Sequence, residues 1–276
     1  MAKHRNPLPT PEEKAERKAQ QKMDVVHKIC FVLLIIIVLL AGFFTYSKFF
    51  GSPFMKASAE KEIRQHLDAN YQKYDFEEYK VEYDREVGKF YANVISTTSP
   101  DTHFTIYYEN GECYDYYQDA VTNLYNTIDR IETELAKKLK AELVKDGTIE
   151  EKAEVSLSVV DFAKSRESGE FTLDMPVTTD LKTDFAVYVE MQGTASVESL
   201  SEIITKINSK LAEIDLPDVV FYNAIIKDGK TTAKAYNVKA EDVTADLETK
   251  LQYALDNPFD AFNDVENENP FTVSIR

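Results

Sequence analysis

The sequence predicts an α+β protein: a single N-terminal transmembrane helix followed by an antiparallel-sheet-plus-helix extracytoplasmic region, divisible into two similar subdomains. Three observations carry this reading. Residues 29–47, ICFVLLIIIVLLAGFFTYS, run for nineteen positions without a charge. Beyond residue 77, stretches of period-two alternation are separated by turns containing glycine. Two long segments, about 115–144 and 196–214, repeat apolar residues at i, i+3 and i+4, and helices that follow runs of strands define α+β rather than doubly wound α/β.

Residues 1–28 form a charged cytoplasmic tail with no apolar stripe. The span itself is assigned to 29–50. At about 1.5 Å per residue its uncharged part nearly crosses a hydrocarbon core of roughly 30 Å. Phe43, Phe44, Tyr46, Phe49 and Phe50 gather at one end as an interfacial belt. A cleavable signal peptide would have a shorter head and a shorter apolar region, although Ala57-Ser58-Ala59 offers an A-x-A match. A lipoprotein signal would need a cysteine after the apolar run, and Cys30 stands at its start. Residues 14–28 hold five Lys/Arg and residues 48–62 hold three, which places the N-terminus in the cytoplasm and the C-terminal region outside the cell membrane.

The first subdomain, 51–146, reads α-β-β-β-α. Residues 57–70 pattern as a helix. Tyr79, Val81 and Tyr83 alternate in 77–84, 89–96 forms the partner strand, and Phe104, Ile106 and Tyr108 share one face of 103–108. After the turn dipeptide Asn110-Gly111 the period changes, and Tyr117, Val121, Leu124, Ile128, Ile131, Leu135, Leu139 and Leu143 mark one helix over 115–144. The second subdomain, 147–255, has strands around 155–159, 171–175 and 185–191 and a helix over 196–214. A hairpin follows about Lys227–Lys230, and a last helix spans 240–255. Residues 256–276 form an acidic, irregular tail laid on the surface by Phe259, Phe262 and Phe271.

Composition narrows the partners. Residues 1–50 hold eight Lys/Arg and four Asp/Glu, a charge of +4. The rest hold 24 and 44, a charge of −20. Such a surface excludes nucleic acid and matches anionic headgroups or acidic wall polymers poorly. Cys30 and Cys113 cannot sensibly pair, and neither a disulfide framework nor a cysteine zinc site follows. The four histidines show no metal spacing, and no phosphate-cradling glycine loop or activated-serine motif is present. No cofactor is implied. A calcium site at Asp256, Asp260 and Asp264 is the weaker alternative to a solvated tail, since the glycine of an EF-hand loop is missing.

The segment 107–121, YYENGECYDYYQDAV, concentrates five tyrosines. Tyrosine suits interfaces because its ring is apolar and its tip polar. Tyr108 and Tyr117 are assigned to the core. Tyr107, Tyr114 and Tyr116 are assigned to an exposed contact surface. In layout the chain resembles, in outline, the bitopic assembly proteins of secretion and conjugation machines; no motif carries that likeness. The expected function is therefore a membrane-anchored, non-catalytic binding protein, touching the bilayer through 29–50 and a protein or envelope component outside it. Its alternatives are a structural subunit of a membrane complex and, last, a tethered hydrolase built on His66, His103 or Cys113. Homo-oligomerisation is left open.

Overall fold

A computed structural model of the chain describes residues 11–214, 216–258 and 271–276, with side chains from residue 22 onward apart from that of residue 24. It is α+β, with a long N-terminal apolar helix and two sheets. Two compact units emerge. The first takes residues up to Gln72, Tyr79–Asn93 and Ile106–Tyr114; the second takes Lys73–Glu78, Val94–Thr105 and the chain from Asp115.

Helix α1 is continuous over Pro11–Phe50, forty residues or about 60 Å. Its charged first part is thus helical from Pro11. None of its apolar window is buried. The helix stops at Gly51, which adopts φ +73, a left-handed value that glycine takes without a Cβ penalty. Ser52 is extended and Pro53 opens helix α2, Pro53–Asn70, where its missing N–H costs nothing. Helix α2 starts four residues earlier than its apolar spacing suggests, and it buries Ala59, Ile63 and Leu67.

The first sheet has the order β1-β2-β3-β4, with β1 Glu82–Asp84, β2 Lys89–Ile95, β3 His103–Glu109 and β4 Glu112–Asp115. Alternation along β2 and β3 sends Phe90, Ala92, Val94, Phe104, Ile106 and Tyr108 inward. Two expectations are corrected here. The strand expected over 77–84 is regular only from Glu82, with Phe76 making an isolated bridge to Ser96. The helix expected from residue 115 is preceded by a strand and then interrupted. Asn110 (φ 52) and Gly111 (φ 95) both take positive φ, the signature of a tight hairpin turn, so the chain returns as β4. Residues Gln118–Thr122 form a π turn, Leu124 adopts φ 63, and only then does helix α3 run over Tyr125–Lys145. Continuous 3.6 periodicity cannot reveal a left-handed residue inside it.

The second sheet has the order β5-β6-β7-β8-β9: Glu154–Val159, Phe185–Gln192, Val219–Asp228, Thr231–Lys239 and Thr272–Ile275. Its pairs are antiparallel except β6 with β7, which run parallel, Val187 opposite Tyr222. A parallel pair needs a crossover, and helix α5, Val197–Leu211, supplies it after Ser196 caps its N-terminus. The two sheets therefore differ in topology as well as strand number. Ile131, Leu135, Leu139 and Leu143 of α3 share one apolar core with Leu157, Phe185, Val187 and Val189 of the sheet and with Leu200, Ile204 and Ile207 of α5. The long helix expected to close the first block thus buries its stripe in the second unit.

Three further elements depart from expectation. A short helix, α4, spans Phe162–Glu167, with the Asp161 carboxylate accepting from the Lys164 N–H. Residues 171–175 form a turn rather than a strand, because Asp174 is left-handed (φ 60) and donates its N–H to the Asp101 carboxylate. The last helix divides into a 3₁₀ turn, Ala240–Asp242, and α6, Leu247–Asp256. The tail is also more regular than its prolines suggest. β9 pairs with β8, placing Val273 opposite Ala235 in the core, and Phe271 packs against that core. Phe259 and Phe262 lie outside the described residues.

Candidate contact face and polar clusters

The outward residues of the first sheet bring the expected tyrosines into a ladder. Glu82 on β1 stands opposite Tyr91 on β2 and accepts its hydroxyl at 2.9 Å. The Tyr91 ring lies 5.9 Å from Tyr107 on β3, and Tyr107 stacks on Tyr114 of β4 at 5.5 Å with planes 11° apart. Lys89 closes the row: its ammonium donates to the Tyr114 hydroxyl at 2.9 Å and pairs with Glu109 at 2.9 Å. Those two bonds, Tyr114 first, raise the Lys89 pKa above the ordinary lysine value. The bond to Glu82 raises that of Tyr91.

This geometry decides what the face presents. Tyr107 and Tyr114 cover each other's rings, so solvent meets edges and hydroxyls rather than an open aromatic plane. A flat sugar ring wants a bare ring face; a protein surface accepts rims that are apolar along the side and polar at the tip. Aromatic cross-strand pairs of this kind also hold strands together by about 0.2–1 kcal/mol each.

Tyr107 and Tyr114 are thus brought together, with Tyr114 40 % exposed; Tyr107, expected to be exposed, is half-buried, its ring packed against Tyr91 and Tyr114. Tyr116 is also exposed, but it belongs to the second unit, where its N–H donates to the Thr105 carbonyl. Tyr108 is buried as expected. Tyr117 is half-buried, and its hydroxyl lies 3.0 Å from that of Tyr74 while its ring packs edge-on to Phe104. Sequence reasoning did not single out Lys89 and Glu82 as companions of the tyrosines. Period-two spacing from Tyr91 would have found Lys89, because residues two apart share a face.

Two polar clusters lie in the second unit. In one, the Lys73 ammonium sits 4.7 Å from the Tyr74 ring centre, beside the Tyr74–Tyr117 hydroxyl pair. Burial pushes the Tyr74 hydroxyl up, but hydrogen bonds with Tyr117, Thr102 and Lys73 outweigh it and leave its pKa lowered. In the other, the buried Asp101 carboxylate takes Arg130 Nε at 2.6 Å and Nη2 at 2.7 Å, the Thr127 hydroxyl at 2.8 Å and the Asp174 N–H at 3.1 Å. Arg130 also donates to the Met175 carbonyl. Burial alone would raise the Asp101 pKa; Arg130 and Thr127 lower it below the ordinary carboxylate value. Both carboxylate oxygens of Asp101 are engaged within the protein, the mark of a structural network.

Among the described residues no group of three or more His, Cys, Asp or Glu is placed to hold a metal ion. Asp256 is exposed and accepts from Gln252, while Asp260 and Asp264 lie outside the described residues. His66 lies on α2 beside Asn70, and His103 opens β3 with an exposed side chain.

Residues 26–115 match the family described as YfjL-like, N-terminal domain. The match is about a third of the chain, running from within α1 to the last residue of β4. It therefore takes in the apolar helix, α2 and the four-stranded sheet that carries the tyrosine ladder. No curated protein and no solved structure matches the chain.

Proposed function

We propose that the chain is a single-pass membrane protein whose N-terminus lies in the cytoplasm and whose chain beyond α1 lies outside. It acts there without catalysis by contacting a protein or another component of the envelope. The observation that supports this most is α1, whose apolar window is wholly exposed in a molecule that buries its other apolar stripes. An unburied helix of that length and composition is at home in lipid. The excess of Lys/Arg before the span supports the orientation. The ladder of Tyr91, Tyr107 and Tyr114 supplies the contact face, and Tyr116 is an exposed tyrosine of the second unit.

Protease treatment of intact cells tests the topology. An epitope at the C-terminus should be lost without breaking the membrane; its survival until lysis would overturn the orientation. Replacing Tyr107, Tyr114 and Tyr116 together by serine tests the contact face. Crosslinking to partners in native membranes should fall while circular dichroism stays native, and undiminished crosslinking would remove the tyrosines from the function.

A further inference from the structure

The first unit holds a cleft of about 230 Å³ at the foot of the apolar helix. Its walls include Ser47 at the end of α1, Ser52 and Met55 at the start of α2, and Lys89, Glu109 and Asn110 from the sheet. We propose that this cleft takes the headgroup of a zwitterionic phospholipid bearing an amine, of the phosphoethanolamine class. The inference rests on α1 being a membrane span.

Five observations converge. Ser47 is the last residue of the uncharged run, and Lys48 is the first charge beyond it, so the cleft opens at headgroup depth. The Ser47 hydroxyl is the one buried side-chain polar atom among the described residues without a hydrogen-bond partner. Nearby Thr45 satisfies its own hydroxyl on the Ala41 carbonyl, the usual solution for a hydroxyl in an apolar helix. Ser47 does not, and its buried hydroxyl belongs to a residue that lines the cleft, so rotation about its side-chain bond would offer the proton to a phosphate oxygen there.

The second wall is also short of an acceptor. The Ser52 side chain makes no capping bond, and α2 leads with Pro53, so the amides of Phe54 and Met55 have no partner within the helix. A helix start of this kind favours a phosphate. The third wall is neutral as a pair: Lys89 and Glu109 stand 2.9 Å apart. A cation beside a carboxylate suits a headgroup that carries both signs, the phosphate toward Lys89 and the ammonium toward Glu109. An anionic headgroup or a free phosphate dianion would leave Glu109 opposed by like charge. Finally, Phe49, Phe50 and Phe54 are 46 %, 63 % and 79 % exposed and continue the apolar surface of the span past its end, where acyl chains of the same lipid would lie.

The test uses the full chain, extracted in mild detergent from vesicles of equal phosphatidylethanolamine and phosphatidylglycerol and examined by native mass spectrometry. One phosphatidylethanolamine should remain per chain. Ser47→Val, which replaces the hydroxyl with methyl groups, and Lys89→Met should each weaken retention about tenfold, the scale of one hydrogen bond to a charged group. Lys206→Met, at an exposed position on α5, should leave it unchanged. No retained lipid, equal retention of phosphatidylglycerol, displacement by millimolar inorganic phosphate, or full retention by both cleft variants would each overturn the proposal. Alkaline carbonate extraction separates this from failure of the span. A chain that stays in the membrane pellet yet holds no lipid refutes only the headgroup site, whereas a chain found in the supernatant refutes the span and the site with it.

Discussion

Arg130→Met breaks the clasp around Asp101 from one side, and the structure sets both the size and the asymmetry of the effect. Asp101 is 1 % exposed, so losing the guanidinium strands a carboxylate away from water. Removing one member of a buried pair costs about 3–5 kcal/mol. Thr127 and the Asp174 N–H still donate to the stranded group, which places the expected cost near the lower end, about 3 kcal/mol. The reverse change leaves less unpaid: in Asp101→Asn the Arg130 side chain, 27 % exposed, reaches water and keeps its bond to the Met175 carbonyl. That variant should lose about 1.5–2 kcal/mol, the scale of a charged hydrogen bond. The double variant should cost less than the sum. In a folding unit of this size, 3 kcal/mol corresponds to a fall in Tm of roughly 6–12 °C. Thermal unfolding of the full chain in detergent, followed by tyrosine fluorescence, reads it. The acid side gives a second check. The folded Asp101 pKa is lowered, so its contribution is complete above the unfolded value of about 3.9 and is lost as pH falls through the folded value. Asp101→Asn should flatten that acid loss. A loss from Arg130→Met no larger than that from Lys206→Met, which breaks an exposed α5 pair, or a larger loss from Asp101→Asn, would refute the role of Asp101 as a buried, paired carboxylate.

Two other perturbations follow from single contacts. Gly51→Ala should destabilise the first unit by about 1–3 kcal/mol, because a Cβ there would meet Phe90 Cζ at 2.3 Å while the backbone stays at φ +73; hydrogen exchange should quicken at the start of α2 and along β2 while α1 before Ser47 is unchanged, and unaltered exchange would show that the junction tolerates a side chain. Glu132 is half-buried, and desolvation raises its pKa while it accepts the Val159 N–H of edge strand β5 at 2.6 Å. A raised carboxyl stabilises most below its unfolded value of about 4.3 and loses that contribution as pH climbs through the folded value, so Glu132→Gln, which keeps the acceptor without the charge, should match the parent Tm near pH 4 and equal or exceed it at pH 8; a lower Tm at pH 8 would contradict the burial argument.

The long apolar helix, the helix of residues 197–211, and the β7–β8 hairpin were legible because each rests on one strong local signal: an uncharged run, a clean stripe, or Asp228-Gly229 between alternating strands. What escaped was non-local or sat on a single backbone angle. The stripe of α3 says only that one face is buried, and both sheets offered an apolar partner; the choice of β5–β9 depends on where Leu124 redirects the chain at φ 63. The parallel pairing of β6 and β7 is set by α5 returning the chain to the same end of the sheet, and alternation alone reads the same in either direction. β4 is four residues long, too short for a period, although Asn110-Gly111 is a strong hairpin signal when strands flank it.

That missed strand changes what the tyrosines are. Without β4, Tyr114 and Tyr116 belong to a helix entrance, and nothing but residue type ties them to Tyr107. With β4 in place, Tyr114 becomes the neighbour of Tyr107 across a strand pair, and the row acquires a direction, from Glu82 through three rings to Lys89 and Glu109. Charges at both ends hold hydroxyls, and the rings hold each other, so the face is ordered before any partner arrives. An ordered rim loses little side-chain entropy on binding, which is where preorganised contacts gain their affinity. Lys89 also lines the cleft at the foot of α1, so one side chain joins the ladder to the cleft. A lipid phosphate drawing on Lys89 would compete with the Tyr114 hydroxyl for the same ammonium. Were the cleft occupied in this way, its occupancy and the order of the tyrosine rim would be coupled through one proton-donating group.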